Sequence, residues 1–261
     1  MAQAKELALK TNLHDRLQKL ANNTLYNLNI THIEQDLQYL IDKNPSLLEC
    51  SNDSIISSLL VCANLNLRPL DASHIYIYPF FEGKGPNRRK VAKPIIGFRG
   101  MMLVAARNGI NITSNPVYEN DDFNITLGTN PTITHNPPQG FQPRGNIIGF
   151  YAFAQNTDGH IIAIAPLMST AEMIQHARKY SPSYTDKDGH IKQNSIWAQN
   201  FMEMGQKTMV RKLYRILALE EGEAGRQFSM VAHQIDTENT IEGTVIEEVS
   251  SRPDALEEIV G

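Results

Sequence analysis

The sequence predicts an α+β fold, an antiparallel β-sheet of about five or more short strands flanked by helices, with a flexible acidic C-terminal tail. Three observations predict it. Apolar residues recur at helical spacing near both ends of the chain. Between those regions the sequence breaks into short period-two runs separated by Gly, Pro and Asn. Charge is also unevenly placed: Ser229 to Gly261 holds eight acids and one base (Arg252), while the preceding 228 residues hold 23 bases against 20 acids. A segment that acidic and that poor in aromatics is solvated rather than packed, and serves as a docking segment or an internal mimic of a polyanion.

At 261 residues, 41% hydrophobic and 20% charged, the chain is long enough to bury a full core. No apolar run approaches the roughly 18 residues of a membrane span, and the charged N-terminus has no signal-peptide core. A cytoplasmic location with no membrane association is expected. Cys50 and Cys62 lack CxxC or metal-ligand spacing and read as reduced, structural thiols.

In order, Met1 to Asn29 is a helical lead with Leu7, Leu13, Leu17 and Leu20 at weak periodicity. Thr31 and Glu34 form a capping box opening a helix with Ile33, Leu37, Leu40 and Ile41 on one face, stopped by Pro45. Ser51 or Asp53 caps a second helix through Ile55, Leu59, Leu60, Cys62 and Ala63. His74 to Phe81 and Val91 to Phe98 alternate and form a hairpin around EGKGPNRRK, a basic tip. Its Gly83-Lys84-Gly85 lacks the GxxxxGK[ST] spacing and joins two strands, which argues against an ATP site.

The second strand runs into PIIGFRGMMLVAARNG, Pro94 to Gly109. This is a strand-to-helix corner where Gly97 and Gly100 bracket Phe98 and Arg99, permitting a sharp turn or a close approach. Lys84 to Arg107 carries seven Lys/Arg and no Asp or Glu, so an anionic partner is expected. Further strands follow at Ile110 to Glu119, Phe123 to Leu127 and Thr132 to His135, then a hairpin of Ile147 to Gln155 and His160 to Pro166 about Asn-Thr-Asp-Gly. Asp121 and Asp122, with Glu119, are either an acidic turn or the Mg²⁺ carboxylates of a metal-dependent nuclease. His135 and His160 read as structural histidines.

Ser169 caps a helix through Met173, Ile174 and Ala177 that ends in Arg178 and Lys179, where the dipole favours cations. SPSYTDKDGHIKQN reads as a mobile loop leading Trp197 into a last helix, Ser195 to Leu219. There Lys207, Arg211 and Arg215 recur every fourth residue as a surface stripe, with Lys212 beside it and only Glu203 as a nearby acid partner. Two basic surfaces with aromatics (Phe98, Tyr76, Tyr78, Trp197) suit a groove for single-stranded nucleic acid.

Four stretches, NLNLRPLDASHIYIYPF, PIIGFRGMMLVAARNG, VYENDDFNITLGTNPTITHNPP and EMGQKTMVRKLYRIL, occur in the order and spacing of one family. Over about residues 45 to 220 the chain resembles the RecT family of phage and prophage single-strand annealing recombinases. The resemblance implies an ATP-independent, non-enzymatic protein that binds single-stranded DNA, anneals it through a duplex intermediate, and assembles into a ring or helical filament. It also implies a phage exonuclease as partner and a C-terminal region that docks host single-strand-binding protein. No cofactor is required on this reading, Mg²⁺ entering only as a modulator of DNA binding.

The expected DNA-binding residues are Lys93, Phe98, Arg99, Arg107, Lys207, Arg211, Lys212, Arg215 and Trp197. The expected organisation is a lead at 1–29, a DNA-binding and oligomerisation core at 30–228, and a docking tail at 229–261. Gly205 and Asn108 depart from the Ala and Ser usual in the family. Alternatives are a metal-dependent nuclease and an RNA-binding or structural nucleoprotein.

Overall fold

A computed structural model of the chain describes residues 2–21, 29–71, 74–83, 85–181, 183–217 and 222–241. They divide into two units that part between Gly100 and Met101, where the sequence suggested one core over 30–228.

In the first unit, Leu9, Leu13 and Leu17 recur every fourth residue on helix α1 (Ala2–Ala21) and are buried. Leu7, assigned to that face from the sequence, is exposed. Helix α1 packs on α2 (Ile30–Lys43) and α3 (Asn52–Leu65), so the N-terminal lead is part of this unit's core. Asn29 caps α2, its side chain accepting from the His32 N–H at 3.0 Å. The expected cap, Thr31, lies inside the helix, because an Asn was available one residue before its first turn.

The buried face of α2 carries Ile33, Leu37, Leu40 and Ile41 as predicted, and also Asp36. Arg68 compensates that carboxylate with Nη2 at 2.9 Å and Nε at 3.1 Å. Removing Arg68 alone would leave a charge buried without its counterion. A 3₁₀ turn (Pro45–Glu49) joins α2 to α3. Cys50 and Cys62 are free and buried, as expected, and burial pushes the Cys50 thiol up to about 11.

Strands β1 (Ile75–Glu82) and β2 (Arg89–Ile96) form the predicted antiparallel hairpin. Helix α3 covers β2 and bonds to its backbone: Ala92 N–H donates to Ser54 Oγ at 2.8 Å, and Ser58 Oγ donates to the Ala92 carbonyl at 3.1 Å. Two serines thereby satisfy a strand that has only one neighbour.

Helix α4 (Phe98–Arg107) begins in the first unit and continues into the second. Then come β3 (Asn111–Tyr118), β4 (Asp122–Thr126), β5 (Thr132–Asn136), β6 (Ile147–Gln155), β7 (Ile161–Ile164) and β8 (Met168–Ser169). The order β3-β6-β7, with β8 also on β6, makes one sheet, and β4-β5 makes another. All pairings are antiparallel. The α+β class is as predicted, with the described strands shared among three sheets instead of one.

Helices α5 (Thr170–Tyr180), α6 (Ile196–Gln199), α7 (Phe201–Leu217) and α8 (Gly222–Ile241) complete this unit. Ser169 and Glu172 make the capping box of α5. Helix α7 lies on β6 and β3. A Cβ at Gly205 would fall 2.4 Å from the Phe150 ring, so the departure from Ala follows from a bulky strand residue beneath the helix. Tyr214, buried on α7, donates to the Met101 carbonyl and meets the Phe228 ring edge-on at 5.7 Å.

Two expectations change. The segment after α5 is organised, with a bridge between Thr185 and Ile191 and Arg178 Nη1 donating to the Gly189 carbonyl at 3.0 Å. Helix α8 passes straight through Ser229, the expected start of the tail. Phe228, Val231, Ala232 and Ile235 recur at helical spacing and are all buried, an apolar stripe that the charge balance of the segment had concealed. The remainder of the expected tail, residues 242–261, lies outside the described residues.

Candidate nucleic-acid interface

The hairpin and corner present the first group of cations. The stretch from Lys84 to Arg107 contains no acid, yet Glu82 of β1 and Glu49 reach it in space. The register sets Glu82 opposite Arg89, and Glu82 takes Arg89 at 2.9 Å and Lys93 at 3.4 Å. Glu49 takes Lys90 at 2.7 Å. Arg88 stacks on the Phe81 ring, 3.9 Å from its centroid. The reading of this stretch as an uncompensated basic surface is thus corrected for three of its cations: Glu82 and Glu49 supply counter-charges to Arg89, Lys90 and Lys93.

At the corner, Gly97 N–H donates to the His74 carbonyl at 3.0 Å, and a Cβ at Gly100 would lie 2.0 Å from that same oxygen. The glycine therefore accommodates the chain's own backbone. Phe98 is half-buried. Arg99 is exposed in the first turn of α4, where the helix dipole opposes a cation and favours an anion; among the described residues it makes no ion pair. Arg107 is exposed at the far end of α4, on the second unit's side.

The second group is assembled within the second unit by α5, α6, α7 and α8. Ser195 caps α6, its side chain accepting from Ala198 N–H at 3.3 Å. The chain breaks at Asn200 before α7 starts, so the single helix expected from Ser195 to Leu219 is two. The break turns Trp197 inward to 6% exposure, its ring 6.1 Å from His176 and 6.2 Å from Phe201. His176 and Tyr180, one turn apart on α5, stand 4.6 Å ring to ring.

Opposite these rings α7 presents Lys207, Arg211, Lys212 and Arg215. Together they line a cleft of about 80 Å³, to which α8 adds Ile235. Lys207 is 8% exposed, so the expected surface stripe is partly an interior wall; Arg211 and Lys212 are half-buried and Arg215 is exposed. Arg215 pairs with Asp236 of α8 at 2.5 Å, an acid partner that came from another helix. His176 reports the local potential: burial, then the charges of Lys212, Arg211, Arg215 and Lys179, lower its pKa to about 4. A cleft with cations on one side and aromatic rings on the other can hold phosphate and offer apolar surface to an adjoining base.

Five predicted residues, Trp197, Lys207, Arg211, Lys212 and Arg215, thus share one site. Sequence reasoning missed His176 and Tyr180. Their i, i+4 spacing beside Arg178 and Lys179 was the available signal.

The carboxylates considered for a nuclease are otherwise engaged. The Asp121 side chain is fully buried and accepts from Arg144 Nε at 2.8 Å, Arg144 Nη2 at 2.6 Å and the Tyr118 N–H at 2.8 Å. His135 Nε2 lies 2.9 Å from the same carboxylate and His135 Nδ1 lies 2.9 Å from the Tyr151 hydroxyl. The Arg144 hydrogen bonds outweigh burial and hold Asp121 far below the usual carboxylate range. It is an anchor for the β4-β5 arm, already matched with a cation, and His135 has the structural role expected of it. Glu119 is bound to Asn146, and Asp122 accepts from Asn136 at 3.2 Å.

A model of the RecT family matches residues 31–245. The chain belongs to the RecT family. The match takes in both cationic groups and all of α8. Protein RecT of Escherichia coli (strain K12) is 30% identical over 180 residues, 68% of this chain and 62% of that protein. The chain thus spans less than two thirds of that RecT protein's length. Among the described residues no helix is long and apolar enough to cross a membrane.

Proposed function

We propose that this RecT-family chain binds single-stranded DNA through the cleft of its second unit and anneals complementary strands in phage-type recombination. The observation that carries the reading is the convergence of Arg211, Lys212 and Arg215 with Trp197, Tyr180 and His176 around one small cleft. Annealing needs the backbone held and the bases left free to pair, so phosphate contacts dominate and base-edge readers are not required. Lys and Arg on a helix face fit that requirement.

The reaction proceeds without ATP and without bond-making or bond-breaking. The missing phosphate-loop spacing around Lys84 supports this, as does the engagement of Asp121 by Arg144. The chain acts as a homo-oligomer, in a ring or filament, beside a phage exonuclease in the bacterial cytoplasm. The acidic residues beyond α8 dock a partner such as host single-strand-binding protein, and Mg²⁺ acts only by modulating DNA binding.

The test is to mix two complementary oligonucleotides with the purified protein, with and without ATP, and follow duplex formation and strand length. Faster annealing, indifferent to ATP and with both strands intact, supports the proposal. No acceleration, or strands shortened in Mg²⁺, rejects it.

A further inference from the structure

His176 is surrounded by like charge from more than one element. On its own helix, α5, the neutral Tyr180 ring lies 4.6 Å away and Lys179 contributes charge; from α7 come Lys212, Arg211 and Arg215, with Lys207 in the same cleft wall. Helix α6 contributes the uncharged ring of Trp197, and α8 contributes Ile235 and the carboxylate of Asp236, which is turned to Arg215. An imidazole so placed is neutral in the free protein, because burial disfavours its charged form and a proton there would add one more positive charge to the cluster.

We propose that the cleft takes one phosphodiester group of a DNA backbone, and that His176 picks up a proton as the group enters, becoming a further cation of the bound state. The inference rests on the reading of the cleft as the DNA interface. Size selects the group: about 80 Å³ is well below the roughly 300 Å³ at which pockets for whole small molecules begin. An oxyanion fits the charge, and neighbouring bases remain outside, free to pair.

The sign follows from linkage. Burial, the larger cause of the low pKa, persists in the complex. A phosphate within contact of the imidazole adds a direct opposite charge and offsets the repulsion from Lys212, Arg211 and Arg215, so the pKa of His176 is higher in the complex than in the free protein. A group protonated more readily in the complex adds affinity as pH falls through its bound-state pKa. The gain stops growing near 4, where the free protein is protonated as well. One proton per site limits the effect to about tenfold in affinity per pH unit.

The experiment measures affinity for oligothymidylate, whose bases do not titrate in this range, from about pH 8 to about pH 5. Wild type, His176→Gln and the double variant Arg211→Gln with Lys212→Gln are compared. The expected result is that the affinity ratio of wild type to His176→Gln grows several-fold as pH falls. Parallel curves for those two overturn the inference. If they are parallel while the double variant loses affinity, the cleft still binds DNA and only the proton is refuted. If the double variant binds as wild type does, the cleft is not the interface and both readings fall.

Should His176→Gln fail to fold, the wild-type protein is sufficient. The His176 ring is titrated by NMR with and without oligothymidylate. A pKa raised by the oligonucleotide supports the inference, and an unchanged one overturns it.

Discussion

As sequence, the hairpin of the first unit and the cleft of the second unit are alike, each a run of Lys and Arg with few acids nearby. In space they differ. Arg89, Lys90 and Lys93 of the hairpin meet Glu82 or Glu49, and Arg88 lies on Phe81. In the cleft, burial first, and then three cations of α7 and one of α5, keep the proton off a single imidazole. Counting basic residues finds both regions; only their partners show where positive potential is concentrated. The cleft is therefore the region where charge and aromatic surface should govern DNA binding, and the hairpin one where charge should act at a distance.

The largest expected effect comes from dismantling one side of the cleft while leaving the hairpin intact. A chain ending after Phe228 loses buried Val231, Ala232 and Ile235; burial of the Val and Ile side chains alone is worth roughly 3–6 kcal/mol. Its thermal midpoint should drop sharply, whereas a chain ending after Ile241 should melt like the full protein and bind DNA at least as well. Equal melting of the two truncations would mean that α8 contributes nothing to the second unit.

Next in size is charge reversal. Arg211→Glu with Lys212→Glu should weaken single-stranded DNA binding about a hundredfold, through lost contacts and repulsion of phosphates. Both side chains are only half-buried, so the melting temperature should move little. Lys207 is left out because it is 8% exposed, and a Glu there would test folding. In the wild type, log affinity should fall by about 0.7 per phosphate contact as log salt rises. Affinity within a few-fold of wild type in the double variant would place the interface elsewhere.

A smaller effect is expected at Asp121, which supports the sheet outside the cleft. Its carboxyl is held below its ordinary value by Arg144. Its contribution is present above the unfolded-state pKa of about 4 and is lost as pH falls towards the depressed folded value. Asp121→Asn should cost roughly 1–3 kcal/mol near neutral pH and should flatten the acid limb of stability. Denaturant melts across that range decide it; an acid limb as steep as that of wild type would contradict the assignment. Smallest of all is the hairpin tip, where Arg88→Glu with Arg89→Glu should slow association a few-fold in stopped flow. The equilibrium complex should scarcely weaken, as expected of steering charges.

The parts legible in the sequence are those set by local rules. Ser169 announces α5, the period-two runs give most strand limits within a residue or two, and the i, i+4 spacing of Lys207, Arg211 and Arg215 describes one side of the cleft by itself. What stayed hidden depends on residues distant in sequence. Glu82 and Glu49 pair with Arg89, Lys90 and Lys93 because of strand register and packing. Lys207 belongs to the cleft through residues of α5 and α6 that line it with α7. Helix α8 was hidden because the acidic balance of Ser229 to Gly261 comes mostly from residues beyond it while four apolar residues set its packing. His176 and Tyr180 gain their meaning only beside Trp197, and Trp197 turns inward only because the helix breaks at Asn200.

Trp197 allows the most direct measurement, because it is the chain's single tryptophan and stands in the cleft. Its emission should be titrated with oligothymidylate alongside the anisotropy of a labelled oligonucleotide. If the cleft is the DNA interface, Trp197 emission changes, saturates together with the anisotropy, and no longer responds in the Arg211→Glu, Lys212→Glu protein. Full binding by anisotropy with Trp197 emission unmoved would contradict it.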